Sequence, residues 1–322
     1  MSNIKKYYGI IIIIALLAMP FVINSYYWIR LLTTMGIYLI IAMGLNMLLG
    51  YTGLVSIGQA GIFGIAAYTA GLLMKNAGIS FWVSFIIVLI LGAFIGMFIG
   101  IITLKLKQAY LAIVTLGLAL MTQTILLNWR EVTGGFEGLL RVPKPTIFGF
   151  VIKAPSHVLF MVTVFCIITF FIIQNISKSK WGRSMRAVRD DDIAASMMGI
   201  NVVKTKLLAF TLSAVLASVS GGLYAGLYGA MFPDYFSMDL SVLFLCMVVL
   251  GGMGTVIGPI IGALLITFGL EALRGLGEGQ MLVYGIFIVA VCVLKPGGFV
   301  EVVGDIRNLF ASKKRREAEE NA

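Results

Sequence analysis

Residues 81–104 read FWVSFIIVLILGAFIGMFIGIITL, twenty-four positions without one charged side chain. Roughly 20 mostly apolar residues suffice for a helix to cross the hydrocarbon core of a bilayer. Backbone polar groups can be satisfied in lipid only by a helix or a closed barrel. Barrel strands alternate apolar and polar positions, whereas Phe85–Leu91 is apolar throughout. The stretch is therefore read as a membrane helix. Similar stretches occur near 8–27, 30–50, 54–74, 109–129, 157–176, 206–228, 239–251, 256–273 and 279–295. The expected fold class is all-α: one polytopic membrane bundle of about eight to ten helices over residues 1–322. The piece at 239–251 is short enough to be a half-span or a re-entrant segment. The first span has a basic start at Lys5 and Lys6, like a signal peptide. No clear small-x-small cleavage site precedes Pro20, so it is expected to remain as a helix.

Composition agrees with this reading. Of 322 residues, 60% are hydrophobic and 12% charged, with mean hydropathy +1.03. A soluble domain carries about 25% charged residues, so this chain lacks the polar surface for one. The formal net charge of +10 reflects orientation and gives no reason to invoke nucleic acid. With a cytoplasmic N-terminus and ten spans, seventeen Lys and Arg fall on the inside, among them Lys105, Lys107, Lys178–Lys206 and Lys313–Arg316. Seven fall outside: Arg30, Lys75, Arg130, Arg141, Lys144, Lys153 and Arg274. The positive-inside bias places both termini in the cytoplasm. Residues 130–156 then form an outer loop, 177–206 a cytoplasmic loop and 300–322 a cytoplasmic tail. The basic run Lys313–Arg316 is either a frayed end or a contact to anionic lipid.

Several chemistries are excluded or disfavoured. None of the fourteen carboxylates falls at the middle of a span, where ion and proton relays usually place them. Proton coupling is disfavoured; sodium coupling through carbonyls and hydroxyls stays open. The chain has no GxxxxGK[ST] loop, GxSxG elbow, HExxH pair or CxxC, so neither enzyme chemistry nor ATP binding by that loop is expected of it. His157 is the single histidine and is read as interfacial. Cys166, Cys246 and Cys292 lie in apolar runs and are read as small core or lipid-facing residues. No metal or cofactor is expected.

Glycine is frequent, at 37 residues. The pattern Leu49-Gly50-x-x-Gly53-x7-Gly61 recurs at an offset of 201 as Leu250-Gly251-x-x-Gly254-x7-Gly262, with Gly258 and Pro259 inside the second copy. This is either coincidence in a glycine-rich chain or a duplicated broken-helix element of the kind found beside translocation paths. Asn46, Gln59, Thr115, Gln123 and Ser213 are the polar groups expected either to face such a path or to bond neighbouring helices.

The densest polar stretch is 177–206, SKSKWGRSMRAVRDDDIAASMMGINVVKTK. Arg183, Arg186 and Arg189 recur every third residue and share one broad helical face. Arg186–Asp190 and Arg189–Asp192 have the spacing of helical ion pairs, with Asp191 between them. Ala194, Ala195, Met197 and Met198 follow, and Gly199 is placed to end the helix. The stretch is either a solvated loop or a surface helix that docks on a cytoplasmic partner.

Three stretches resemble the M-type (LivM-like) permease subunits of branched-chain amino-acid ABC importers: GLNMLLGYTGLVSIGQAGIFGIAAY at 44–68, GRSMRAVRDDDIAASMMGINVVKTKLLAFTLSA at 182–214 and MVVLGGMGTVIGPIIGALL at 247–265. NWREVTGGFEGL at 128–139 also fits the family's outer loop. Gln59 is a departure, since much of the family carries His there. The resemblance implies a bacterial or archaeal plasma-membrane permease that pairs with a second permease. It also implies two cytoplasmic ATPase subunits below and an extracytoplasmic binding protein above. Arg183–Gly199 would be the coupling helix. A permease of the same architecture for urea, amides, nucleosides or sugars is the alternative cargo reading; an ion-coupled transporter acting alone is the alternative mechanism.

Overall fold

The computed structural model describes residues 16–23, 25–103, 108–147, 150–152 and 154–277, with isolated positions from 279 to 301. The start of the first candidate span, most of the last one at 279–295, most of the tail and Cys292 lie outside the described residues.

Five described helices are long and apolar enough to cross a membrane. They are α1 (Tyr26–Thr52), α3 (Phe81–Thr103), α4 (Gln108–Asn128), α5 (Pro155–Lys178) and α8 (Val202–Tyr228). Between them lie α2 (Gln59–Lys75), the short polar pair α6 (Lys180–Asp190) and α7 (Asp192–Met197), and then α9 (Met238–Gly251) and α10 (Gly258–Ala272). The bundle is all-α apart from two-residue strand pairings, 139–140 with 230–231 and 146–147 with 150–151.

The expected boundaries shift in two places. Residues 26 and 27 belong to α1 rather than to the first span, because the chain leaves helical geometry at Ser25. The span expected from 54 begins only at Gln59. Gly53 takes φ 72°, and its N–H and that of Leu54 bond back to Leu49 and Leu48. This left-handed cap closes α1 and leaves 53–58 as a non-helical break.

The centre of the bundle is α8, packed against α1, α2 and α3. Small residues decide this. Gly92, Gly96 and Gly100 form one stripe on α3, facing Ser218, Ala214 and Leu207 of α8. A Cβ on Gly96 would lie 2.6 Å from the Ala214 Cβ. Without a hydrophobic drive between helices in lipid, such close backbone approach supplies the packing energy. Gly221, Gly222 and Gly226 of α8 likewise admit Ala66, Phe85 and Phe81.

The short eighth segment is one arm of a helical hairpin that runs the length of α1, meeting Gly50 near its end through Gly254 and Tyr27 at its start through Glu271. After α8 the turn Pro233–Phe236 dips into the bundle, with Phe236 fully buried against Phe63 and Gly64 of α2. From there α9 descends to Gly251, the loop 252–257 reverses the chain, and α10 returns. At 14 and 15 residues these helices are only about 21–22 Å long at 1.5 Å per residue.

Candidate functional site

The polar segment that follows α5 is held by backbone contacts. In α6, Gly182, Met185 and Val188 are buried on one face. A Cβ on Gly182 would lie 2.5 Å from the carbonyl oxygens of both Ile176 and Ser177, so α6 sits directly on the end of α5. Arg183 Nη1 donates to Lys178 O at 3.1 Å and Arg186 Nη2 to Ser177 O at 3.1 Å. The Arg186 guanidinium also lies 5.6 Å over the ring of Tyr51, whose hydroxyl donates to Ser177 Oγ at 2.9 Å. Arg189 Nη1 donates to Gly50 O at 2.5 Å. The last carbonyls of a helix lack intrahelical partners and carry the negative end of its dipole. The three arginines thus cap the ends of α5 and α1.

This corrects the expected local ion pairs. Arg186 and Arg189 turn to backbone oxygens rather than to Asp190 and Asp192, because two helix ends lie within reach and offer unpaired acceptors. Among the described residues the ion pairs are Lys206–Asp192 and Arg274–Glu271. The single expected helix is also two. Asp191 is extended (φ −160°, ψ 116°) and its carboxylate accepts from Ile193 N at 2.7 Å and Ala194 N at 2.9 Å. This N-cap starts α7 afresh, while Asp190 ends α6 exposed. Gly199 (φ 80°) closes α7, with Ile200 N bonded to Ala195 O at 3.1 Å. Ala195 is buried at 4%, whereas Ile193, Met197 and Met198 are 71%, 81% and 83% exposed. The result is an apolar tip on a polar segment anchored from above.

The two glycine-patterned segments both fold as helix, break, helix, and they meet. Asn46 Nδ2 donates to Thr255 O at 2.7 Å, and Gly254 N donates to Asn46 Oδ1 at 2.9 Å. A Cβ on Gly50 would lie 2.3 Å from Gly254 N. Thr255 Oγ1 donates to Gly252 O and accepts from Gly258 N, each at 3.0 Å. Gly251 is pressed on Gly258, Gly262 on Met247 and Gly61 on Ala119, while Pro259 is buried in the first turn of α10. Asn46 therefore holds this junction with both ends of its amide.

Gln59, Ser213 and Thr115 gather a few residues away. Gln59 Nε2 donates to Ser213 Oγ at 3.0 Å. Its Oε1 is buried without a protein partner, and the side chain is 2% exposed. Thr115 Oγ1 accepts from Ile57 N at 3.0 Å. Ser56, Gln59, Thr115, Gly96 and Phe210 line a cavity of about 10 Å³, room for one water. Gln123, two turns beyond Thr115 on α4, is half-buried and does not line this cavity.

An aromatic layer begins one turn from Gln59 and was not anticipated. Phe63 packs on Tyr224, Phe236 and Phe244. Tyr224 stacks on Tyr228 at 4.7 Å and on Tyr235 at 5.3 Å. Tyr235 bonds Tyr38, Tyr228 bonds Thr34 at 2.5 Å, and Arg30 lies 5.6 Å over the Tyr228 ring. Although Tyr235 is 37% exposed, desolvation around its hydroxyl raises its pKa above the ordinary value, against the lowering effects of the Tyr38 hydrogen bond and of Arg30. The available signal was the run Phe232-Pro233-Asp234-Tyr235-Phe236 just after a span.

Comparison with known proteins places this geometry. Residues 27–292 match the family model described as branched-chain amino acid transport system / permease component. The high-affinity branched-chain amino acid transport system permease protein LivM of Escherichia coli K12 is 32% identical, over 93% of this chain and 76% of that protein. The LivM protein of Salmonella typhimurium is 33% identical over the same shares. The autoinducer 2 import system permease protein LsrC of Yersinia enterocolitica is 25% identical, over 83% of this chain and 74% of its own. No solved structure gives a significant match. With the family model covering most of the chain and two LivM proteins aligning along nearly all of it, the chain belongs to the permease-component family of branched-chain amino acid transport systems.

Proposed function

We propose that this chain is a permease subunit of an ATP-driven importer for branched-chain amino acids in a bacterial or archaeal plasma membrane, with both termini in the cytoplasm. It pairs with a second permease, receives substrate from an extracytoplasmic binding protein and is driven by two ATPase subunits that dock on α6–α7. The observation that carries this reading is the exposed tip Ile193–Met197–Met198 on a segment whose arginines grip the ends of α5 and α1. An apolar knob fits a groove on a partner, and the arginine contacts pass its displacement to the membrane helices. ATP hydrolysis belongs to the partner subunits. Gln59, Thr115 and Ser213 are assigned to the pathway side of the bundle, with Gln123 further along α4; Asn46 is assigned to the junction.

The test is a reconstituted importer containing Met197→Arg. The variant permease should insert and purify normally but fail to capture ATPase subunits, and ATP-dependent uptake of labelled leucine should be lost. Undiminished capture would overturn the docking assignment. Wild-type complexes that take up none of leucine, isoleucine or valine would overturn the cargo.

A further inference from the structure

Three segments distant in sequence share one backbone junction. Arg189 of α6 donates to Gly50 O, in the last turn of α1. Gly254 packs on the same carbonyl, and a Cβ there would lie 2.9 Å from Gly50 O and 2.8 Å from Arg189 Nη1. Asn46, one turn before Gly50, binds Gly254 N and Thr255 O. Gly298 then closes on Gly252, with a Cβ lying 2.7 Å from its Cα. Glycine at 50 and 254 leaves no side chain between the guanidinium and either backbone.

We infer that Arg189 and Asn46 form a latch that makes α6, the end of α1 and the loop 252–257 one moving body, so that a push on α6–α7 reaches α9 and α10 directly. Arg189 is thus a positioning residue for transport and not a contact to the ATPase. The inference rests on the proposed docking role of α6–α7. The chemistry suits a latch. A guanidinium offers five donors in a fixed fork, and a charged donor strengthens a hydrogen bond to a carbonyl. The glycine loop has no side chain of its own at 252 or 254 with which to grip α1, so the grip is supplied by α1 and α6.

The experiment uses the assembled importer in proteoliposomes, with uptake and ATP hydrolysis measured together. Arg189→Ala should keep the ATPase subunits bound while substrate imported per ATP hydrolysed falls at least ten-fold. Arg189→Lys, which retains a cationic donor, should recover a third or more of that ratio. Asn46→Ala should give the same uncoupling from the other side of the junction. In the double variant the loss of coupling should be no deeper than in either single one, since both act on one latch. Wild-type stoichiometry in Arg189→Ala would overturn the latch. Release of the ATPase subunits by Arg189→Ala would also overturn it and move the residue into the docking contact. Should Asn46→Ala merely fail to fold, the Arg189→Lys recovery decides: no recovery over Ala refutes a hydrogen-bonding role. Failure of the docking reading itself shows separately, as ATPase capture that survives Met197→Arg.

Discussion

Gly199 separates backbone conformation from partner contact in a single position. It closes α7 at φ 80°, and a Cβ added there meets no atom within 4 Å. The cost of Gly199→Ala is therefore conformational alone, about 1–2 kcal/mol for an L side chain in the left-handed region. That shifts the local equilibrium of the α7 end by about 5- to 30-fold. A partner that binds only the closed end sees its apparent affinity reduced by up to that factor. Asn tolerates the left-handed region, so Gly199→Asn should bind within about three-fold of wild type. Gly199→Trp carries the same backbone cost as Ala, and its Cβ, like that of Ala, meets no atom within 4 Å. In the isolated permease the thermal stability of Ala and Trp variants should match. Titration of ATPase subunits onto permease in nanodiscs should rank Gly and Asn tightest, then Ala, then Trp, because only the partner can clash with the indole. Ala binding as tightly as Gly would refute the need for the left-handed turn. Trp binding as tightly as Ala would refute a partner surface at 199.

Two further outcomes follow from the packing and from the aromatic layer. Gly96→Leu should lower the unfolding temperature of the purified permease through overpacking of about 1–3 kcal/mol, since Ala214 and the backbone of Thr211 fill the space. Gly117→Leu on α4, where a Cβ meets nothing within 4 Å, should change it little; equal losses would sink the close-approach argument. Desolvation around its hydroxyl raises the Tyr235 pKa, so the folded state holds this proton more tightly than the unfolded one. Its contribution to stability is full below the ordinary tyrosine pKa of about 10 and is lost as pH rises past it. Thermal unfolding between pH 8 and 11 should fall less steeply in Tyr235→Phe than in wild type; identical slopes would refute the assignment.

The membrane helices were legible because a long uncharged run has few other fates, and their ends fall within a few residues of the apolar runs. The end of α7 was visible in Gly199, whereas the break at 53–58 was not placed, because the apolar run from 54 reads as continuous helix and the left-handed turn at Gly53 interrupts it. What was not legible depended on partners remote in the chain. Helical spacing pairs Arg189 with Asp192, but the nearest unpaired acceptor is a carbonyl 139 residues earlier. Asn46 looked like any polar group in a span; its partner lies 208 residues later. Ala195 sat in an apparently uniform small-residue face, yet the cap at Asp191 rotates it inward. The dip at Pro233–Phe236 was hidden because only Pro233 and Phe236 are buried while Asp234 and Tyr235 stay exposed, and so short a turn between two apolar helices has no hydropathy signature of its own.

The brevity of α9 and α10 has a consequence for biogenesis. Helices of 14 and 15 residues are shorter than the roughly 20 that partition into lipid one at a time. They enter the bundle most readily as a pair, α9 packed on α10, with the loop 252–257 closing on the ends of α1 and α6. The side chain that satisfies Gly254 and Thr255 belongs to Asn46, about two hundred residues earlier in the chain. The hairpin therefore reaches its final contacts only against a first half of the chain that is already made. Maturation of this protein is ordered in time as well as in space.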